Sequence, residues 1–269
     1  MTEELAGKRA LVTGSSSGIG AGIARALAAE GASVIVHGRD QGRAREVADG
    51  IRTKGGTAEV VTADLASEAG AAELAAAASE AFGGIDILVN NAGGASDGPV
   101  KSWFSVPLDE WSVSYQRNVL AAAKLIHCLA PGMKERGWGR VVQMATAAAT
   151  IPTAAQPEYG TAKAAMLNMS LGLSKALAGS GVTVNAVSPG MIRTPGLDDF
   201  LRDFAERRGW GDDTSKAADY ILKGTGQTVH RIGTVEDVAY AVICLVSPRA
   251  DFLNGLNLHV DGGGTANLY

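Results

Sequence analysis

Short apolar runs rich in Val and Ile recur along this chain, separated by longer stretches of Ala, Leu and charge, and that alternation restricts the fold more than any other feature. Runs at 9–13, 33–37, 58–62, 86–90, 140–144, 183–187 and 256–260 read as strands, each continuous in character rather than alternating apolar with polar. Such strands suit a sheet whose two faces are both covered by helices. The segments between them, at 19–30, 43–53, 67–82, 110–134, 159–178 and 235–246, carry strong helix formers. Strand followed by helix, repeated to the end, predicts an α/β fold on a mainly parallel sheet. The 269 residues show no long linker, repeat or break in composition, so the chain reads as one domain over 1–269. Two segments, 93–107 and 194–229, interrupt the rhythm after strand ends, where open α/β sheets bind ligands. They are candidate substrate walls, the second a helical lid.

A formal charge of −4, with Lys and Arg scattered, offers no cationic face to nucleic acid or to anionic lipid. The first nine residues mix acidic and basic side chains and lack the apolar core of a secretion signal, and no uncharged apolar run is long enough to span a membrane. Cys128 and Cys244 lie in helix-like apolar stretches and read as buried reduced thiols, which points to the cytoplasm. His37, His127, His230 and His259 are dispersed without ligand spacing, so no metal site is expected and each reads as an ordinary surface or core histidine.

Directly after the first strand stand Thr13, Gly14, Ser15, Ser16, Ser17, Gly18, Ile19 and Gly20, leading into an apolar-periodic helix. Gly14 allows a tight turn, Gly18 lets a pyrophosphate approach the backbone, and Gly20 permits close packing of helix on strand. Amides at the helix start then face the phosphates, where the helix dipole also favours negative charge. The second strand ends in His37, Gly38, Arg39 and Asp40. A guanidinium at that tip pairs with a ribose 2′-phosphate, whereas a carboxylate there accepts from the 2′-hydroxyl. Arg39 comes first and Asp40 is placed to cap the next helix, so NADP(H) is favoured with NAD(H) still open. The alternative is that Arg39 is a solvated loop residue.

Tyr159 and Lys163 stand at i and i+4, one turn apart on one helix face. A neighbouring cation favours the phenolate and is expected to bring the tyrosine toward its working range. Together with Thr13 to Gly20, the run Asn90, Asn91, Ala92 and Gly93, then Asn118, and finally Ser188, Pro189 and Gly190 with Thr194, this pair follows the order and spacing of the short-chain dehydrogenase/reductase family. The chain resembles that family from near residue 5 to its end.

The resemblance implies a single-domain Rossmann-like three-layer sandwich of seven parallel strands, assembled as a homotetramer or dimer. It implies that Gly14, Ser15, Ser16, Ser17, Gly18 and Ile19 line the pyrophosphate and adenosine ribose, that Asp64 and Leu65 meet the adenine, and that Asn91, Ala92 and Gly93 form the floor beside that ribose. Pro189, Gly190, Ile192 and Thr194 would fix the carboxamide. Asn118 would hold a water linking Lys163, which reaches a ribose hydroxyl, to solvent; by itself it reads as a polar residue needing a hydrogen-bond partner. Tyr159 is the implied acid/base. Where most members carry Ser, this chain has Thr146, which keeps the hydroxyl but adds a methyl and restricts χ1. The implied activity is hydride transfer between the nicotinamide and a small-molecule ketone or secondary alcohol. Trp103, Phe104, Trp111, Phe200, Phe204 and Trp210 suggest an apolar or cyclic substrate, or else packing and interface residues. The alternatives are a 3-oxoacyl-carrier-protein reductase and a non-catalytic NADP(H)-binding relative.

Overall fold

Seven strands, β1 (Arg9–Val12), β2 (Ser33–Gly38), β3 (Thr57–Thr62), β4 (Ile87–Asn90), β5 (Gly139–Met144), β6 (Val182–Pro189) and β7 (Asn257–Val260), form one sheet in the order β3-β2-β1-β4-β5-β6-β7. Each neighbouring pair is parallel. This computed structural model describes residues 3–67, 69–95 and 101–265. The helices are α1 (Gly18–Ala29), α2 (Gln41–Thr53), α3 (Gly70–Phe82), α4 (Leu108–Tyr115), α5 (Ala121–Glu135), α6 (Pro157–Ala176), α7 (Pro195–Arg207), α8 (Thr214–Gly224) and α9 (Val235–Val246). The fold is thus the Rossmann-like α/β sandwich that the strand–helix alternation predicts.

Successive strand residues feed opposite cores. Ala10 and Val12 pack with Ile23, Leu27, Val47 and Val242 from α1, α2 and α9. Leu11 between them packs with Leu74, Leu125 and Leu129 from α3 and α5. A central strand therefore has no polar side, which is why β1 and β4 read as unbroken apolar runs. The edge strand β3 departs from that reading, since Thr57, Glu59 and Thr62 are exposed and alternate with its better buried positions. An edge has a neighbour on one side only, so part of its surface meets water.

Two further expectations are corrected. The helix read over 110–134 begins at Leu108 and is interrupted by a π turn at Gln116–Leu120. Cys128 and Cys244 are exposed free thiols rather than buried ones. Leu125 and Leu129 on α5, and Val242 and Leu245 on α9, take the core-facing stripe, so the helical period turns both thiols outward. Segment 93–107 falls partly outside the described residues, at 96–100.

The segment over 194–229 folds as α7 and α8. Its roots are drawn together by a parallel bridge between Ile192 and Gly233. Beyond α8, the amides of Thr228 and Val229 both donate to the Gly262 carbonyl, at 2.9 Å each. Among the described residues, no helix is long and apolar enough to cross a membrane. The strand order reverses between β1 and β4, and the crevice this opens at the carboxyl edge of the sheet is where the predicted site residues gather.

Candidate active site

The turn after β1 depends on glycine at defined points. Gly14 and Gly18 have φ of 62° and 53°, in the left-handed region that side chains avoid. A Cβ on Gly20 would lie 2.4 Å from the Gly14 carbonyl oxygen, so any larger residue would force the loop away from α1. Asn91 braces the same turn, its Nδ2 donating to the carbonyls of Thr13 (2.9 Å) and Gly14 (3.1 Å). The Thr13 hydroxyl accepts from the amides of Asn91 and Ala92. Asn91 and Ala92 thus tie β4 to the loop.

Ser17 is the N-cap of α1 but supplies no side-chain cap, whereas α2, α7, α8 and α9 are each capped by an Asp or Thr side chain. The first-turn amides of α1 are therefore free to receive an anion from the cleft. Uncapped amides, a glycine cradle and no carboxylate in the loop fit the pyrophosphate of a dinucleotide. Ser15 is placed differently from the sequence reading. It is fully buried behind the loop, donating to the Val12 carbonyl (2.6 Å) and accepting from the His37 amide (2.9 Å).

The chemical end of the cleft is built by β5 and α6. Thr146 follows β5 in extended conformation, and its hydroxyl stands near enough to the Tyr159 phenol to influence its titration. Tyr159 and Lys163 sit in the first turns of α6, and the Lys163 Nζ lies 5.9 Å from the centre of the tyrosine ring. That ammonium donates to the Met144 carbonyl at 2.6 Å. Burial brings Lys163 down to about 8. The phenol does not follow the expected direction. Burial raises Tyr159 above its ordinary value and outweighs the opposing influence of the Thr146 hydroxyl. In this state the tyrosine is held as a proton donor, and the lysine is poised near neutrality.

Asn118 lies in the π turn and is fully buried. Its Oδ1 accepts from the Gly94 amide (2.9 Å), while Nδ2 donates to the carbonyls of Gly94 (3.0 Å) and Ser114 (2.9 Å). The partner that a buried amide in an apolar helix demands is therefore the loop after β4. A Cβ on Gly93 would lie 2.5 Å from Asn118 Oδ1 and 3.6 Å from Lys163 Nζ, so the amide and the ammonium border the same small space.

These groups open on one cleft of about 800 Å³, whose walls include Ser16, Ser17, Gly18, Ile19, Asn91, Gly93, Tyr159, Lys163, Pro189 and Thr194. Gly14, Ala92 and Asn118 support the wall from behind. Ile192 is buried against the core, and Gly190 is bound through its amide to the Val260 carbonyl at 3.0 Å. Asp64 is exposed past β3, and its Oδ1 accepts from the Ala66 amide; Leu65 packs into the core under α3. Arg39 is exposed at the tip of β2, and Asp40 caps α2 by accepting from the Arg43 amide at 3.1 Å. The sequence reading missed Arg43, which lines the cleft while its guanidinium lies 3.4 Å from the Asp40 carboxylate. A second basic residue one helical turn beyond Arg39 was the available signal. The six aromatic residues lie outside these cleft walls. Trp103 stacks edge-on with Trp111, while Phe204 contacts Phe200, Trp210 and Tyr220 in a cluster of its own.

A sequence profile described as short chain dehydrogenase matches residues 8–203. The chain belongs to the short-chain dehydrogenase/reductase family. Its members are dehydrogenases and reductases of alcohol and carbonyl groups, and this protein is an oxidoreductase of that kind. It is 36% identical to the short-chain reductase protein NovJ of Streptomyces niveus, over 94% of this chain and 92% of that one. It is 34% identical to a 3-oxoacyl-[acyl-carrier-protein] reductase of Vibrio cholerae, over 96% and 98%. The crystal structure of L-sorbose reductase from Gluconobacter frateurii, complexed with NADPH and L-sorbose, superposes over the whole of both chains with a TM-score of 0.93 at 31% identity. Similar identity to proteins of such different names means that overall likeness does not select a substrate for this family member.

Proposed function

We propose that the protein is an NADP(H)-dependent oxidoreductase interconverting a small-molecule ketone and its secondary alcohol. The observation that carries this reading is the Tyr159 phenol, backed by the Lys163 ammonium, in the same cleft as the uncapped start of α1. The cofactor is held by the glycine loop, with Arg39 and Arg43 on the 2′-phosphate side and Pro189 and Thr194 beside the carboxamide. When bound, the nicotinamide supplies or accepts the hydride. For reduction, Thr146 and Tyr159 hold the substrate oxygen by hydrogen bonds, and Tyr159 donates its proton as negative charge develops there. Lys163 favours loss of that proton in the opposite direction, and Asn118 keeps the loop after β4 in place beside it while holding the relay water.

An apolar or cyclic substrate rested on the aromatic residues, of which all but the exposed Phe104 pack on one another. Polar Asp199, a cleft-wall residue outside the cofactor seat, favours a hydroxylated carbonyl compound instead, in keeping with the likeness to L-sorbose reductase. Residues 194–229 act as the substrate lid. Exposed Phe104, Leu108, Val113 and Leu120 near α4, with Tyr240 and Leu258 at the β7 edge, suit a homo-oligomer. Two exposed free thiols suit the reducing cytoplasm.

A panel of ketoses, aliphatic and cyclic ketones and a 3-oxoacyl thioester, followed by NADPH absorbance beside titrations of NADPH and NADH, tests the reading. Turnover with hydroxylated ketones and tighter NADPH than NADH support it. Binding without turnover of any compound favours the non-catalytic alternative, and activity confined to the thioester favours the carrier reductase. Tyr159→Phe is expected to lower kcat by about a thousandfold, within the range for removal of a general acid, while leaving the NADPH dissociation constant unchanged.

A further inference from the structure

The mechanism above makes no use of His37, a buried imidazole at the end of β2. Its two ring nitrogens lie between two backbone groups of opposite kind. Nδ1 faces the amide of Gly14 at 3.1 Å, and Nε2 faces the carbonyl of Ala63 at 3.2 Å. An amide can only donate and a carbonyl can only accept. Nδ1 must therefore be bare and Nε2 must carry the hydrogen, so both contacts select one neutral tautomer.

The two groups so joined have separate duties. Gly14 is the left-handed hinge of the glycine loop, and Ala63 immediately precedes Asp64 on the adenine side of the cleft. The main chain of His37 reinforces the connection, its amide donating to Ser15 Oγ (2.9 Å) and its carbonyl accepting from the Ser15 amide (2.7 Å). We propose that neutral His37 is a positioning residue for the cofactor, setting the glycine loop against the adenine-side segment so that the pyrophosphate and adenosine seats are in register before binding.

An imidazolium would present a second donor to the Gly14 amide and break the link. The surroundings oppose that charge. The loop after β1 brings only uncharged Ser15 and Ser16 near, Arg39 and Asp40 beyond β2 are exposed, and Asp64 past β3 is the acidic group whose field reaches the ring. Burial outweighs it and lowers the histidine below its ordinary value.

The inference rests on the dinucleotide reading of the cleft, and the test separates the two. NADPH fluorescence titrations and steady-state kinetics are run on the wild type, His37→Phe and His37→Asn. Phe removes both ring partners, while the Asn carbonyl can still accept from the Gly14 amide. Leaving that half-buried amide without its partner is expected to weaken NADPH binding roughly tenfold in His37→Phe, with the KM for NADPH rising in parallel and kcat within about twofold. Asn is expected to restore most of the affinity. Nitrogen NMR of the wild-type imidazole, which requires no variant to fold, is expected to show a neutral Nε2–H ring at pH 7. A wild type that binds neither NADPH nor NADH overturns the dinucleotide reading itself. Normal wild-type binding with unchanged affinity in His37→Phe, no recovery in His37→Asn, or a charged or Nδ1–H ring overturns the role of His37 alone.

Discussion

The cofactor side of the cleft and the α7–α8 hairpin are built on opposite plans. Around the glycine loop, backbone meets backbone with no room to spare, and polar groups such as the Ser15 hydroxyl, the Asn91 amide and the Asn118 amide have named partners at fixed distances. The hairpin has a private core instead, in which Leu201, Ala205 and Ala217 are buried beneath Phe200, Phe204 and Trp210. Its cations rest on rings, with Arg208 lying 5.2 Å from the centre of Phe204 and Lys216 lying 4.7 Å from that of Trp210. The first plan secures a cofactor common to many reactions. The second makes a small unit whose interior packs mainly on itself.

The sharpest way to break this contrast is Gly20→Ala. The added methyl would sit 2.4 Å from the Gly14 carbonyl and push the loop out of place. NADPH affinity is expected to fall about a hundredfold, on the scale of a 1 Å misplacement, and a retained affinity in titration would show the loop to be more forgiving than its geometry.

Next in size is the buried ammonium of Lys163. Its folded value of about 8 lies below the ordinary 10.5, so between those limits the unfolded chain holds a proton that the folded one has released. Stability is therefore expected to rise as pH increases from about 8 toward 10.5, by roughly 3 kcal/mol in urea unfolding of the protein without cofactor, and to be free of this contribution's pH dependence well below 8. Lys163→Met should lose that rise and most of the activity together. A variant with the same pH dependence as the wild type would remove Lys163 as its source.

Thr146→Ala comes third, with an expected loss of about tenfold or more in kcat for one donor to the developing oxyanion, and with NADPH affinity intact. Smallest is Phe204→Ala in the hairpin. It should raise the KM for substrate severalfold, leave NADPH binding as it was, and lower the melting temperature modestly, since the ring is only partly buried. If that substitution weakened NADPH binding as strongly as Gly20→Ala, the two regions would not be independent.

Most of the sheet half was legible from residue order. The positions of β1, β2 and β5, the capping role of Asp40 and the turn of helix shared by Tyr159 and Lys163 all follow from patterns a few residues long. Errors gathered where a distant partner decides the outcome. Cys128 and Cys244 stand in apolar helices, and only the packing of those helices shows which stripe faces inward. Phe200, Phe204 and Trp210 could line a cleft or pack together, and the hairpin core between α7 and α8 settled their place. Arg43 became a cleft residue through the direction α2 takes beyond β2.

Residue order alone thus determined the elements, their alternation and the helix that carries the reactive pair, because hydrophobic period, caps and glycine turns act over one or two turns of chain. Tertiary structure alone decided the directions in which burial shifts Tyr159 and Lys163, the tautomer of His37 and the depth of Ser15. Those properties depend on how much water is removed from a group and on which backbone donor or acceptor replaces it. Both are supplied by segments far apart in the chain, and they meet only when the sheet closes.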